Sequence, residues 1–165
     1  MTETTQGTVA AASAPKPPSY VRTTWKGEHR FDTGRRNGPP AVLDGSGITA
    51  QSPPDALLGA LASCSAVDVV DILAKRRTPV ESLTIDVEAA RREQMPRRFE
   101  RISLTYRIVG AGIERGHAER AVQLAFEKYC SVSASLAPDI VVTTVVELNG
   151  EMGESVRQKM YSASE

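Results

Sequence analysis

Two cysteines are the residues of this chain best suited to covalent chemistry. Cys64 lies in the middle of the longest apolar stretch, and Cys130 follows a second helical pattern. A thiolate can act as a nucleophile or bind a metal, but the isolated His29 and His117 leave too few ligands for a zinc site. Three interpretations stay open: free thiols, a redox pair, or the small buried apolar side chains that cysteines in Ala-rich helices usually are.

A long helix is predicted for the apolar stretch SPPDALLGALASCSAVDVVDILAK, from Ser52 to Lys75. No charged residue occurs between Asp55 and Asp68, so we expect this helix to be buried on nearly all sides. Ser52 is a suitable N-cap, and the two prolines after it suit the first turn, where backbone N–H groups have no intrahelical acceptor. Pro79 prevents continuation of the helix.

The acidic residues late in this helix are interpreted as structural. Asp71 and Lys75 form an i,i+4 pair, and Asp68 is expected to pair with Lys75 or with a backbone donor. Both carboxylates interrupt the apolar run well short of the about 20 residues that a bilayer requires. We therefore expect no membrane insertion.

The pattern of the whole chain predicts an α+β protein with an antiparallel sheet. Residues 1–19 are expected to be a disordered tail, 20–150 a single domain, and 151–165 a charged C-terminal tail that frays. Within the domain, the predicted elements other than the central helix are a strand meander at 20–43, a long hairpin at 83–109, an amphipathic helix at 114–129 and a last strand at 139–148. Strands and helices do not alternate regularly, which argues against a parallel doubly wound fold.

The composition describes a soluble globular protein without a polyanionic partner. The chain has 165 residues, 41% of them hydrophobic, and 20 basic residues balance 20 acidic ones. No basic segment followed by an apolar core opens the chain, so we predict a cytoplasmic location. The hairpin tip RREQMPRR, residues 91–98, is the feature that favours nucleic-acid binding, but charged tips are usually solvated and we expect no such partner.

Two segments resemble the cysteine motifs of the OsmC/Ohr family of thiol-dependent peroxidases. The stretch SPPDALLGALASCSAVDVVDIL resembles the central helix of that family, and KYCSVSASL followed by an Ile/Val strand resembles its second-cysteine segment. The resemblance covers residues 20–148 and implies an OsmC-like fold. In that fold, antiparallel sheets wrap around the buried central helices of an intertwined homodimer, with the active sites at the dimer interface.

The resemblance implies that Cys64 is the peroxidatic residue and Cys130 the resolving one. The Cys64 thiolate would attack an alkyl or lipid hydroperoxide, leaving an alcohol and a sulfenic acid, and Cys130 would then form a Cys64–Cys130 disulfide. An external thiol or dithiol, dihydrolipoamide-like in the best-known branch, would reduce it again. No metal or organic cofactor is implied, and the physiological role would be defence against oxidative stress.

The chain departs from the organic-hydroperoxide-resistance pattern at the start of the central helix. Members of that branch place a glutamate directly after the first proline, where it pairs with an N-terminal arginine and helps to activate the thiolate. Here Pro54 holds that position and the carboxylate follows at Asp55, an SPxxxLL form that resembles a less characterised branch. An unperturbed thiol with a pKa of about 8.5 is mostly protonated at neutral pH, so a positive neighbour is needed. Arg35 and Arg36 are the candidates, with a solvated loop as their alternative.

A non-catalytic relative that binds a small acyl or aromatic ligand is the alternative function. Its site would be an apolar pocket at the dimer interface, lined by Leu57, Ala60, Leu61 and Val67. Thiol chemistry separates the two hypotheses, because an enzyme needs both cysteines and a binding protein should tolerate their replacement by serine.

Overall fold

The part of the chain that the computed structural model describes is residues 17–160. It contains two compact units, which meet in sequence between Ala50 and Gln51. Residues 1–16 of the predicted N-terminal tail (1–19) lie outside the described residues. Residues 161–165 of the predicted C-terminal tail (151–165) also lie outside them.

The first unit is a three-stranded antiparallel meander, as predicted. Its strands are β1 (Arg22–Trp25), β2 (Arg30–Gly34) and β3 (Ala41–Asp44), paired in that order. The β1–β2 turn has left-handed backbone at Gly27 and Glu28, with φ of 103° and 48°. Glycine adopts this conformation without steric cost, which explains why the turn forms there. β2 continues to Gly34, so the loop between β2 and β3 begins at Arg35.

The second unit carries the helices and a five-stranded sheet. Its elements in chain order are α1 (Pro53–Lys75), β4 (Ser82–Arg91), β5 (Phe99–Val109), α2 (Arg115–Leu124), a π-helical turn (Ala125–Tyr129), α3 (Ser131–Ala134), β6 (Val141–Leu148), β7 (Glu151–Met152) and β8 (Val156–Arg157). The predicted central helix, long hairpin, amphipathic helix and last long strand are thus confirmed. The π-helical turn and α3 were not predicted.

The sheet is mixed rather than purely antiparallel, which corrects one part of the predicted fold class. β4 and β5 pair antiparallel, but β5 and β6 run parallel, with Arg101 opposite Val141 and Ile108 opposite Leu148. The chain between β5 and β6 includes α2, the crossover that parallel neighbours require. β7 and β8 both pair antiparallel with β6, so the segment after residue 150, expected to fray, adds to the sheet as far as Arg157. The α+β class itself is confirmed.

One stripe of α1 packs into the core of the second unit. Leu61, Ser65, Val69 and Leu73 are fully buried, at a spacing of four residues, and they meet the inward side chains of β5. Other apolar positions of α1 are exposed within the single chain, including Val67 at 61% and Leu57 at 41%. The prediction that α1 is buried on nearly all sides is therefore wrong for the single chain. The helix is long and apolar enough to cross a membrane, as many core helices are.

Three of the four arginines at the β4–β5 hairpin tip form hydrogen bonds with groups of the same chain. Arg91 and Arg92 donate from Nε to the carbonyls of Arg97 and Pro96, at 2.7 and 2.6 Å. Arg98 forms a bidentate pair with Asp139, which lies two residues before the start of β6. Guanidinium groups used in this way stabilise the hairpin and are less available to a phosphate backbone.

The end of β3 is held by a carboxylate that collects backbone donors. Asp44 is 2% exposed and accepts hydrogen bonds from the amides of Ser46, Ile48 and Thr49, at 2.9, 3.2 and 2.9 Å, and from the Ser46 and Thr49 hydroxyls. The Ser46 hydroxyl and the amides of Thr49 and Ser46 hold the pKa of Asp44 well below its usual range. This carboxylate fixes the loop that leads out of the meander.

We predict that Asp44→Asn destabilises the protein in a pH-dependent way. A carboxylate with a lowered folded-state pKa contributes stability that is fully present above the unfolded Asp pKa of about 3.9 and is lost as pH falls through the folded value. The difference in melting temperature between wild type and variant should therefore be constant above about pH 5 and shrink in stronger acid. Asp32→Asn, a control at a surface ion pair with Lys26, should not reproduce this pattern. A difference that grew in acid would contradict it.

Candidate active site

The first turn of α1 is fixed by a capping box. The Ser52 hydroxyl accepts a hydrogen bond from the Asp55 amide, and the Asp55 carboxylate accepts from the Ser52 amide, at 3.3 Å in each case. Asp55, predicted to replace the activating glutamate, therefore has its carboxylate engaged at the helix start. It lies nine residues before Cys64, about 14 Å along the axis at 1.5 Å per residue. The structure does not bring the two side chains together within the chain.

The rotation of α1 about its axis is set by a buried hydrogen bond to the sheet. Ser65 Oγ lies 2.6 Å from the Tyr106 hydroxyl, and both side chains are fully buried. The serine proton is used on the carbonyls of Leu61 and Ala62, both 3.0 Å away, so the tyrosine is the donor to Ser65. Burial raises the pKa of Tyr106 above its usual range, which keeps the phenol protonated. Cys64, one residue earlier, is thereby turned away from the sheet.

The second cysteine lies where the π-helical turn ends and α3 begins. The Cys130 amide donates to the carbonyl of Ala125, five residues back, at 2.8 Å, and closes the widened turn. Cys130 is also the N-cap of α3, because its sulfur accepts from the Ser133 amide at 3.4 Å. Only 3% of the residue is exposed. π-Helical turns frequently occur at functional sites, since the extra residue re-aims the chain that follows.

The two cysteine segments meet in the second unit. Cys64 Sγ lies 3.9 Å from the hydroxyl of Ser131, the residue directly after Cys130. The pKa of Cys64 is lowered: burial alone would raise it, but the Val132 amide, the Cys130 thiol and the Ser131 hydroxyl together outweigh that effect. The start of α3 thus supplies the donors that a Cys64 thiolate needs. Both thiols are free in this structure.

Cys130 differs from Cys64 in the direction of its pKa shift. Burial raises the pKa of Cys130, the Ser133 amide partly opposes this effect, and the nearby Cys64 sulfur raises the pKa further. The pair therefore consists of a more acidic, half-buried thiol on α1 and a less acidic, buried thiol at the start of α3. This asymmetry favours Cys64 as the first nucleophile.

Asp68, four residues after Cys64, is not paired as predicted. Its Oδ2 atom is buried and has no hydrogen-bond partner within residues 17–160. Burial raises the pKa of Asp68, and the charge of Asp71 raises it further. The expected Asp71–Lys75 ion pair is also missing from the ion pairs of the described chain. The prediction that Asp68 pairs with Lys75 or with a backbone donor is therefore wrong.

The two arginines proposed to activate Cys64 belong to the first unit. Arg35 and Arg36 are exposed in the turn after β2, where the Gly38 amide donates to the Arg35 carbonyl at 3.3 Å. The Arg36 guanidinium lies 4.6 Å from the centre of the Tyr20 ring, a cation–π contact within that unit. Their action on the thiolate stays a prediction.

A metal centre is not formed by the described residues. Between positions 17 and 160, no three His, Cys, Asp or Glu side chains come together as a metal site would require. The chemistry that this arrangement supports directly is that of two neighbouring thiols.

Comparison with known proteins identifies the family. The family model for OsmC-like proteins matches residues 44–145, which include both cysteines. The chain belongs to the OsmC-like protein family. It is 36% identical to Protein YhfA of Escherichia coli K12 over 129 residues, which cover 78% of this chain and 96% of that protein.

Solved structures share the OsmC-like fold. A hypothetical protein from Aquifex aeolicus VF5 is 31% identical with a TM-score of 0.71, over 79% of this chain and 95% of its own. The organic hydroperoxide resistance protein OhrB of Bacillus subtilis is 16% identical with a TM-score of 0.51, over 79% of this chain and 98% of its own. At that identity, the likeness to OhrB is one of fold.

Sequence reasoning missed several groups that surround Cys64 in this OsmC-like chain. Ser131, the Val132 amide and Tyr106 were not among the candidate site residues. No sequence signal marks the first two, because Cys130, the N-cap of the short helix that carries them, is not a residue that usually caps helices. No sequence signal distinguishes Tyr106 from other inward residues of the strand.

We predict that Ser131→Ala raises the pKa of Cys64. Removing the hydroxyl takes away one donor that favours the thiolate, so alkylation should begin at higher pH than in the wild type. The measurement is the rate of iodoacetamide modification of Cys64 against pH. Ser63→Ala is the matched control, because that hydroxyl, next to Cys64 in sequence, donates to the Gly59 carbonyl at 2.8 Å instead. An unchanged profile for Ser131→Ala would show that the contact carries no weight.

Proposed function

We propose that this OsmC-like protein is a thiol-dependent peroxidase that reduces organic hydroperoxides. The observation that carries the proposal is the convergence of two free thiols with opposite pKa shifts, at the contact between α1 and the start of α3. A thiolate beside a protonated thiol is what a peroxide-reducing pair requires, one to be oxidised and one to resolve the product.

Cys64 acts first in this proposal. Its thiolate attacks the distal oxygen of the hydroperoxide, the O–O bond breaks, and an alcohol leaves while Cys64 becomes a sulfenic acid. Cys130 then attacks the Cys64 sulfur, and water leaves as the Cys64–Cys130 disulfide forms. The apolar side chains of α1 around Cys64 suit an alkyl or lipid peroxide, and the name of OhrB supports the same substrate class.

The cycle closes with an external reductant rather than with a bound cofactor. A thiol or a dihydrolipoamide-like dithiol attacks the disulfide and returns both cysteines to the reduced state. The proposal includes no metal and no organic cofactor, and it assigns the protein to oxidative stress defence in the cytoplasm.

The first test counts thiols before and after one equivalent of cumene hydroperoxide. We expect the wild type to lose both thiols rapidly and to take the mass of one internal disulfide. Cys64→Ser should not react, whereas Cys130→Ser should stop at a sulfenic acid that dimedone traps. Intact-mass spectrometry distinguishes these products.

The control for this test is free cysteine under the same conditions. If the two thiols of the protein are oxidised no faster than free cysteine, the peroxidase proposal fails. The alternative of a non-catalytic protein with an apolar ligand pocket would then take its place.

We also propose that the protein is a homodimer in which the partner covers the exposed apolar face of α1. Leu57, Val67 and Val70 are 41%, 61% and 38% exposed in the single chain, an unusual state for the apolar side chains of a long helix. Burying them against a second copy would remove this surface from water.

We predict that Val67→Asp converts the dimer to the single chain. A carboxylate at the centre of an apolar interface has to be desolvated without a partner, which opposes association. Light scattering coupled to size-exclusion chromatography should give twice 17.8 kDa for the wild type and a mass near 17.8 kDa for the variant. Val109→Asp, at a comparably exposed valine at the end of β5, is the control and should stay dimeric.

A further inference from the structure

An acid without a partner lies beside the proposed peroxidatic thiol. Asp68 follows Cys64 by one turn of α1, a spacing that places the two Cβ atoms about 5–6 Å apart on the same face. Its Oδ2 atom is buried and unbonded within the described chain. Such atoms are rare in folded proteins, and each one calls for a functional or structural reason.

The groups around Asp68 leave this oxygen available. The hydroxyl of Tyr106 is committed to Ser65, and Arg76 is bonded to His117. A cavity of about 360 Å³ opens beside the acid, large enough for a small organic molecule. The titratable or charged groups that face Asp68 from its own helix and from the elements packed on it are Cys64, Asp71, Lys75, Arg76, Tyr106, Tyr129 and Cys130.

Burial and neighbouring charges act on the protonation of both Asp68 and Cys64. Burial and the charge of Asp71 raise the pKa of Asp68. In turn, a negative charge on Asp68 raises the pKa of Cys64. The burial that raises the pKa of Asp68 thus favours its protonated form, the form that can donate a proton to a group bound at Cys64.

We propose that Asp68 is the general acid that protonates the leaving alkoxide when Cys64 reduces an organic hydroperoxide. This role rests on the proposed peroxidase function. The Cys64 sulfur bonds to the distal oxygen, the O–O bond breaks, and its electron pair stays on the alkoxide oxygen. That oxygen takes the Asp68 proton and leaves as the alcohol. Cys64 remains as a sulfenic acid and Asp68 as a carboxylate, which regains a proton when the Cys64 thiol next ionises.

The test varies the basicity of the leaving group. tert-Butyl hydroperoxide releases a strongly basic alkoxide that needs a proton, whereas peracetic acid releases a weakly basic carboxylate that does not. Asp68→Asn should slow Cys64 oxidation by tert-butyl hydroperoxide about 100-fold or more. Oxidation by peracetic acid and alkylation by iodoacetamide should proceed no more slowly than in the wild type, because both need only the thiolate.

Two further variants control for charge and for the acid itself. Glu88→Gln removes the same charge from an exposed position on β4 and should keep the wild-type rate with tert-butyl hydroperoxide. Asp68→Glu keeps a carboxylic acid and should recover part of the loss. Equal slowing of all three reagents by Asp68→Asn would mean a structural role and overturn the proposal, and so would an unchanged rate with tert-butyl hydroperoxide.

The wild type provides a second measurement that does not depend on folding of a variant. The ratio of the tert-butyl hydroperoxide rate to the alkylation rate should fall as pH rises through the raised pKa of Asp68, since only the protonated acid serves the first reaction. A ratio independent of pH would contradict the role of Asp68. A wild type that does not react with tert-butyl hydroperoxide faster than free cysteine would instead refute the peroxidase function, and the proposed role of Asp68 with it.

Discussion

The buried hydrogen bond between Ser65 and Tyr106 is the constraint on which the site depends. A tyrosine hydroxyl in the core has to find a partner, because leaving it unsatisfied costs about 1–3 kcal/mol. Here the partner is on α1, so the helix cannot rotate about its axis without losing this bond. Successive helix residues are about 100° apart, and fixing Ser65 inward therefore presents Cys64 to the start of α3.

The same constraint explains the uneven burial of a helix that is apolar almost all round. Leu61, Val69 and Leu73 share the Ser65 stripe and meet the sheet, which leaves the remaining apolar side chains at the surface of the chain. A helix whose whole circumference is hydrophobic is normally buried on every side. The composition of α1 is thus better suited to two packing partners than to one.

The sequence was sufficient to predict the longer elements and their order. Strong local signals carried these predictions: Ser52 and the prolines for the start of α1, period-two alternation for β4 and β5, and helical spacing for α2. Local signals do not encode which strands pair across a long connection. The expectation of an antiparallel sheet was therefore wrong for the β5–β6 pair, and the short strands after residue 150 were missed.

The candidate site was only partly predictable, for a related reason. Both cysteines stand out by type, and the motifs around them were sufficient to recognise the family. The donors that lower the pKa of Cys64 come from a backbone conformation, a π-helical turn followed by a four-residue helix, which has no clear signature in KYCSVSASL. Asp68 Oδ2 likewise has no hydrogen-bond partner in the described chain, because Tyr106 and Arg76 are bonded to other groups. Such satisfied and unsatisfied groups can be found only once the tertiary structure is known.

The asymmetry of the two thiols bears on the order of events in the proposed cycle. Cys130 is less acidic partly because the Cys64 sulfur lies beside it. A Cys64 thiolate is negative, but the sulfenic acid that replaces it is neutral, so oxidation of Cys64 removes the repulsion that opposes ionisation of Cys130. Resolution is therefore suppressed while Cys64 waits for peroxide and is favoured once it has reacted. The charge of the first nucleophile thus adds to the larger effect of burial in keeping Cys130 from reacting first.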